Sequence, residues 1–232
     1  MTGGLSISQQ LIKAVKAKQD YSEIAETLSQ IKKEELINRL SSDNAKKAFW
    51  LNIYNAFNII MLANDPKVIL NRISRKIHFT KKEINIVGYW LSLDDIEHGM
   101  IRNSKVWWSK GYLRKPFVSD LEKKLRVKSL DPRIHFALNC GAESCPAIRF
   151  YTDETVNEQL DLATRTFLQN EVEYDSYSHT LRLSQLFNWY MGDFGGKKGI
   201  RDFLRQYRID TPSNTKFEFS NYSWEPMLEA FG

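Results

Sequence analysis

The sequence contains very little cysteine or histidine, with two cysteines and four histidines among 232 residues. Two cysteines are too few for the disulfide framework of a small secreted domain, and the four residues between them exclude a C-x-x-C redox motif. A chain of this length can instead bury roughly 70% of the surface that its unfolded form exposes. We therefore expect one domain held together by its own apolar core.

Long apolar runs are also missing. No stretch approaches the run of about 18 apolar residues that a membrane-spanning helix needs. The N-terminus, "MTGGLSISQQ", lacks a charged segment followed by an apolar core. The sequence therefore predicts a soluble chain without a membrane span, cytoplasmic as it stands and exported if an N-terminal signal was removed.

Charge of one sign is only slightly in excess, since 33 Lys and Arg face 28 Asp and Glu for a net charge of +5. The stretch "WWSKGYLRK", residues 107–115, mixes aromatic and cationic side chains as a nucleic-acid surface does. No RNP, zinc-finger or helix-turn-helix pattern accompanies it. We interpret this stretch as a solvated face and predict no nucleic-acid partner.

The first half of the chain is predicted to be helical. Apolar spacing over residues 5–40 indicates two amphipathic helices. Ser42 and Asp43 then offer N-cap oxygens to a third helix, "NAKKAFWLNIYNAFNIIMLAND", which ends before Pro66. That helix is apolar almost all the way round, so we expect it to lie at the centre of the fold.

Three asparagines interrupt the central helix. Asn52, Asn55 and Asn58 recur every three residues, and a buried amide without partners costs roughly 1 to 3 kcal/mol. Two interpretations are open. They bind the backbone of neighbouring loops, or one of them orients a catalytic group.

The remaining elements mix strands and helices. The alternation in "EINIVGYWLS" predicts a strand or hairpin, followed by a helix that carries Glu97 and His98 and is capped by Ser92 or Asp94. The apolar run "DPRIHFALNC" predicts a buried strand that enters a tight loop at Gly141. Residues 153–172 are predicted to form a helix, residues 179–207 a strand followed by two helices, and residues 216–228 a last strand.

No internal repeat, low-complexity segment or linker divides the chain. The pattern predicts a single α+β domain with helices packed on a small antiparallel sheet. Residues 1–42 would form an N-terminal helical extension that packs on a core of residues 43–232.

The segment "RIHFALNCGAESCPAIRF", residues 133–150, holds both cysteines and one histidine. Three interpretations of these side chains are open: a nucleophile with its base, a metal site, or residues of the core. A thiolate at Cys140 could be stabilised by the imidazole of His135 and by backbone N–H groups near Gly141. On a straight strand residues 135 and 140 point to opposite faces, but Asn139 and Gly141 both tolerate the left-handed backbone that would turn the sulfur round.

A zinc site would use His135, Cys140 and Cys145, with Glu97, His98 or water as the fourth ligand. Structural zinc sites usually pair their ligands two to four residues apart, and this even spacing does not. We therefore predict no metal and no cofactor.

Four blocks in order, "KKAFWLNIYNAFNI", "LSLDDIEHGMIR", "DPRIHFALNCGAESCPAIRFYT" and "LSQLFNWYMGDFG", resemble the domain of unknown function 547 family. The resemblance implies a core similar to papain-like and transglutaminase-like cysteine enzymes, with Glu97, His135 and Cys140 as a catalytic set. In plant relatives Ser stands at the place of Cys145, which makes Cys145 the poorer nucleophile candidate.

The leading hypothesis is a cysteine-dependent hydrolase or acyl transferase acting on an amide, isopeptide or thioester bond of a peptide, protein or small molecule. Cys140 would attack the carbonyl, His135 would move the proton, and Glu97 rather than His98 would orient the imidazole. Supporting roles are expected for Asn52, Asn55, Asn139 and Gly141. The rival hypothesis is a binding module that keeps the fold and holds a peptide or small ligand without turnover.

Overall fold

The structure is a computed structural model that describes residues 6–210 and 212–228. The first five residues of the predicted N-terminal extension and the last four of the predicted core lie outside these ranges. The helices are α1 Ile7–Lys16, α2 Ser22–Gln30, α3 Lys33–Arg39, α4 Asp43–Asn64, α5 Arg72–Thr80, α6 Asp120–Leu125, α7 Val156–Glu171, α8 Gln185–Trp189 and α9 Gly196–Gln206. The strands are β1 Ile84–Ile86, β2 Tyr89–Leu91, β3 Glu173–Asp175, β4 Thr180–Leu183 and β5 Lys216–Phe219.

The N-terminal region has three helices where the apolar spacing predicts two. The second predicted helix breaks at Ile31 and Lys32, whose backbones are extended (ψ 138° and 137°). Both halves still turn an apolar face inward, so periodicity alone does not reveal the break. Of the three, α1 packs directly against α4.

Helix α4 is central, as predicted. The Ser42 hydroxyl accepts a hydrogen bond from Ala45 N, and the helix ends at Asn64, before Pro66. Every residue from Ala45 to Asn58 is buried. The main apolar core forms around this helix from α1 to α3, the β1–β2 hairpin and α7.

The sheets are small and one of the two is mixed, which corrects the predicted single antiparallel sheet. Strands β1 and β2 pair antiparallel, and so do β3 and β4, but β5 lies parallel to β4. Parallel pairing requires a long crossover, and α8 and α9 supply it between β4 and β5. The described residues therefore form an α+β fold with two separate sheets.

The prediction of a strand over "DPRIHFALNC" is wrong. Residues Pro132–Phe136 form a 3₁₀ helix, whose first turn is capped by the Asp131 carboxylate through Arg133 N. Ile134 packs in the main core, whereas Phe136 packs in a second core built from α7, β4, α8 and α9. A run that is buried on all sides has no period-2 alternation, so the sequence could not distinguish the two structures.

The helix predicted after the hairpin is a π-helix, Asp95–Ile101. Its start is capped by Ser92, whose hydroxyl accepts from Asp95 N while the Asp95 carboxylate accepts from Ser92 N. The wider π-helical turn is often found at functional sites. Here it carries Glu97 and His98 to the wall of a cavity of about 480 Å³.

Among the described residues no helix is long and apolar enough to cross a membrane.

Candidate functional site

A cavity of about 480 Å³ lies where α4, the π-helix, the 3₁₀ helix, α8 and the C-terminal segment meet. Glu97, His135 and Cys140 all line it. The sequence places these residues up to 43 positions apart (97 to 140), so the fold brings the predicted set into one space. Half of the remaining lining residues are aromatic: Tyr54, Phe79, Trp107, Trp108, Trp189, Tyr190, Tyr222 and Trp224.

His135 is held between the two cores by its neighbours in the 3₁₀ helix and is 2% exposed. Its Nε2 lies 2.9 Å from Asp193 Oδ2, while its Nδ1 has no hydrogen-bond partner in the described part of the chain. A carboxylate can only accept, so Nε2 carries the proton and Nδ1 presents a lone pair. The imidazole therefore has the tautomer and the free nitrogen that a general base needs.

Asp193 joins His135 to a buried cation. Its Oδ2 also accepts a hydrogen bond from Arg102 Nε at 2.7 Å, and both side chains are fully buried. Burial by itself raises the pKa of Asp193, but the bond to His135 and the charge of Arg102 bring that pKa below its ordinary value. Asp193 is therefore ionised at neutral pH and fixes the orientation of the ring.

The pKa of His135 lies below its ordinary value, because burial disfavours the imidazolium more strongly than Asp193 favours it. The neutral ring is consequently the resting form near pH 7. A neutral imidazole next to an ionised carboxylate can accept a proton during a reaction and return it.

Glu97 reaches the imidazole through a tyrosine. The Tyr190 hydroxyl donates to Glu97 Oε1 at 2.8 Å, and the Tyr190 ring stacks on the His135 ring with centroids 3.8 Å apart. Glu97 makes no hydrogen bond to His135 itself. The carboxylate that binds His135 directly is therefore Asp193 rather than the predicted Glu97, which reaches the ring only through Tyr190.

His98 belongs to the same buried network without touching His135. Arg102 Nη1 donates to His98 Nδ1 at 2.7 Å. Burial, followed by the positive charge of Arg102, holds the pKa of His98 well below its usual range. Nearby, burial and the neighbouring Glu97 raise the pKa of Asp94 to about 7.

The two cysteines form a disulfide, which the sequence analysis did not anticipate. Cys140 is bonded to Cys145, and the Tyr222 hydroxyl lies 3.2 Å and 3.1 Å from the two sulfurs. Both residues are partly exposed and both line the cavity. In this form Cys140 has no free thiol.

Asn139 and Gly141 shape the loop that carries both sulfurs. The Asn139 side chain donates to Pro146 O and accepts from Gly141 N, each at 2.7 Å. Gly141 has the left-handed backbone that its sequence context predicts, with φ +85°. These contacts close the loop, and they occupy the Gly141 N–H, one of the backbone donors that were expected near Cys140.

The asparagines of α4 bind loop backbone. Asn55 donates to Ala137 O and accepts from Asn139 N, each at 2.9 Å. Asn58 donates to Asn139 O at 2.8 Å and contacts the His78 ring. The hydrogen bonds of Asn55 and Asn58 therefore fix the backbone just before Cys140.

Asn52 binds a different segment, the backbone at Tyr151, which follows the loop that carries both cysteines. It donates to Tyr151 O at 2.8 Å and accepts from Tyr151 N at 3.0 Å. Of the two open interpretations, loop binding describes all three asparagines, and Asn55 acts on the loop that leads into the site.

Sequence reasoning missed Asp193, Arg102, Tyr190 and Tyr222 as parts of this site. A signal was present for the first, because Asp193 directly follows Gly192 in "YMGDFGG", inside one of the four blocks. No spacing rule relates it to His135, 58 residues earlier. Within residues 6–210 and 212–228, no three His, Cys, Asp or Glu side chains are grouped so that they could hold a metal ion.

Comparison with known families gives one match. The model of the family described as "Protein of unknown function, DUF547" matches residues 37–168. This range covers more than half of the chain and includes Glu97, His135, Cys140 and Cys145. Searches of curated proteins and of solved structures found no match.

Proposed function

The chain belongs to the DUF547 family, and from that premise and the lining of the cavity we propose that it is a cysteine-dependent hydrolase or acyl transferase. Its substrate would carry an amide, isopeptide or thioester bond. The proposal includes a papain-like or transglutaminase-like arrangement of the catalytic groups. It applies to the protein after reduction of the Cys140–Cys145 bond.

The observation that carries the proposal is the state of His135. One ring nitrogen is fixed by an ionised carboxylate, the other has no hydrogen-bond partner, and His135 lines the same cavity as Cys140. Cysteine nucleophiles use this relation, in which a base lies beside the thiol and a third group orients the base. We assign the orienting role to Asp193, with Glu97 supporting the ring through Tyr190.

Reduction comes first. An external dithiol supplies two electrons and two protons, becomes a disulfide itself, and leaves thiols at Cys140 and Cys145. The Cys140 N–H, which donates to Cys145 Sγ at 3.0 Å in the disulfide form, is then free to donate elsewhere. We propose this N–H as the oxyanion donor, because the Gly141 N–H is already bonded to Asn139.

The chemical steps follow the triad pattern. His135 Nδ1 takes the Cys140 proton, and the thiolate forms a bond to the substrate carbonyl carbon. The tetrahedral oxyanion collapses, the leaving amine or thiol takes the proton from His135, and an acyl-thioester remains on Cys140. Water or an acceptor amine then gives its proton to His135, attacks the thioester and releases the thiolate.

A non-catalytic binding module is the second candidate, and the aromatic wall favours it. Trp189, Tyr222 and Trp224 pack together with ring centroids 4.8 to 6.0 Å apart, and the Arg75 guanidinium lies 3.6 Å from the Trp224 ring centroid. Such a wall would hold a peptide or an apolar ligand without any reaction. The two candidates differ in how Cys140 behaves once it is reduced.

Thiol labelling separates them. We expect the reduced protein, treated briefly with iodoacetamide at mildly acidic pH and mapped by peptides, to be labelled at Cys140 before Cys145. His135→Asn and Asp193→Asn should slow this labelling strongly, Glu97→Gln should slow it less, and thermal unfolding checks that each variant folds. Cys145→Ser is the matched control, because it should be labelled at Cys140 without reductant.

Preferential labelling of Cys145 would remove the nucleophile assignment. Equal rates in the wild type and in His135→Asn would mean that the imidazole does not activate the thiol, and the binding module would then be the better description.

A further inference from the structure

The rim of the cavity is an exposed surface that is both apolar and cationic. Trp107 and Trp108 line the cavity and are nevertheless 58% and 61% exposed. On α5, Ile73 and Ile77 are 73% and 57% exposed. We call Ile73, Lys76, Ile77, Trp107 and Trp108 the rim patch.

The rim patch is continuous. Ile73, Lys76 and Ile77 lie on one face of α5, because positions three and four apart are neighbours on a helix. The Lys76 ammonium is 5.0 Å from the centroid of the Trp107 ring. This contact joins the helix face to the loop of residues 104–115, which we call the tryptophan loop. Large exposed apolar side chains grouped beside a cavity mark a surface that meets a partner.

The tryptophan loop is ordered, although its apolar side chains face water. Val106 N donates to Leu113 O at 3.0 Å, Lys115 N donates to Ser104 O at 2.8 Å, and Gly192 N donates to Lys110 O at 2.7 Å. These hydrogen bonds fix the loop along both of its sides and at its tip. Its tryptophans are presented on a fixed support, so little ordering is needed on binding.

The charge around the patch is mainly positive, although Lys81 and Lys82 each pair with a carboxylate, that of Glu83 and that of Asp95. From Arg72 to Lys82 the sequence has five cations and no acid, and between His98 and Ser119 it has Arg or Lys at 102, 105, 110, 114 and 115 and again no acid. Arg72, Lys76, Lys81, Lys82, Lys110 and Arg114 are exposed. The modest net charge of the whole chain therefore hides a local concentration of positive charge at the cavity mouth.

We propose that the rim patch docks the mouth of the cavity onto an anionic lipid membrane surface. Tryptophan is the side chain that best occupies the boundary between water and acyl chains, and aliphatic side chains add to the buried area. Lysine and arginine beside them are attracted to anionic headgroups. This inference concerns binding alone and stands whether or not the cavity is catalytic.

Other partners fit the same surface less well. A single-stranded nucleic acid would use the tryptophans for stacking and the cations for phosphates, but it gives no role to two exposed isoleucines on one helix face. The core of a protein interface is usually depleted of charge, whereas here cations surround and cross the apolar side chains. A lipid surface uses both features.

Vesicle sedimentation with the full chain tests the proposal. We expect binding to phosphatidylcholine vesicles containing one third phosphatidylglycerol and little binding to phosphatidylcholine alone. Brominated acyl chains should quench the tryptophan emission. Trp107→Ala combined with Trp108→Ala should weaken binding on the order of tenfold, and Lys76→Glu should also weaken it.

Tyr177→Ala is the matched control, since Tyr177 is 96% exposed in the turn between β3 and β4 and does not line the cavity. It should bind as the wild type does. No binding to the anionic vesicles at low salt would overturn the proposal. Equal binding by the double tryptophan variant would reduce it to nonspecific charge adsorption, and displacement of the vesicles by a single-stranded oligonucleotide of equal charge would identify nucleic acid as the partner instead.

Discussion

Replacing Asn55 with alanine should destabilise the fold strongly, because this side chain satisfies two buried backbone groups at once. Ala137 O would lose its donor and Asn139 N its acceptor, and both residues are almost fully buried. Each orphaned group costs roughly 1 to 3 kcal/mol, so the pair costs about 2 to 6 kcal/mol. The better helix propensity of alanine offsets roughly 0.5 kcal/mol of that loss, and water entering the gap would bring the cost toward the lower end.

Urea unfolding of the disulfide form measures this cost as a lower midpoint at an unchanged slope. Asn170→Ala is the control, since Asn170 is an exposed asparagine on α7, and it should change the free energy of unfolding by less than about 0.5 kcal/mol. A cost below about 0.5 kcal/mol for Asn55→Ala as well would show that the Asn55 hydrogen bonds do not hold the loop.

Asn55→Asp refines the test. The aspartate keeps an oxygen for Asn139 N, but when ionised it offers nothing to Ala137 O and buries a charge. When protonated it regains a donor. Its stability relative to the wild type at the same pH should therefore recover as the pH is lowered toward about 4. A gap that does not change with pH would mean that the Ala137 carbonyl finds another donor.

Two further substitutions test the packing and the charge of the site. Gly141→Ala should lower the free energy of unfolding in urea by about 2 to 4 kcal/mol, because the new Cβ would overlap Leu62 and the residue would keep a left-handed φ. Gly88→Ala is the control, since Gly88 has φ +79° and no atom within 4 Å of a Cβ, and it should cost only about 1 kcal/mol. Equal costs would refute the overlap with Leu62. Asp94 ionises near 4 in the unfolded chain and at about 7 in the fold, so its ionisation lowers stability as the pH rises through that interval. Asp94→Asn should therefore raise the melting temperature at pH 8 and change it little near pH 4, while Glu158→Gln on the exposed face of α7 should show no such trend; a shift that is equal at both pH values would contradict the burial of Asp94.

The sequence by itself determined the elements whose signals are local. Ser42 and Pro66 bound the central helix, and its surface is apolar almost all the way round, which requires a central position. The alternation around Val87 and Gly88 determines the β1–β2 hairpin, and both residues take the positive φ that the tight turn requires. The buried asparagines follow in the same way, because an amide inside a core must find partners.

The residues expected in the site came from the four-block resemblance rather than from spacing. Glu97, His135 and Cys140 do line one cavity. Their contacts could not be predicted, since no local rule states which carboxylate reaches an imidazole.

Only the tertiary structure decided the partners across long distances in sequence. Asp193 meets His135 because α8 and the turn after it pack on the second core, next to Phe136. The parallel pairing of β5 with β4, the break between α2 and α3, and the 3₁₀ form of residues 132–136 likewise depend on which surfaces surround each segment. The Cys140–Cys145 bond depends on the loop that Asn139 closes. Apolar periodicity records that a residue is buried, but hydrogen-bond partners are chosen by the backbone path that brings two distant groups together.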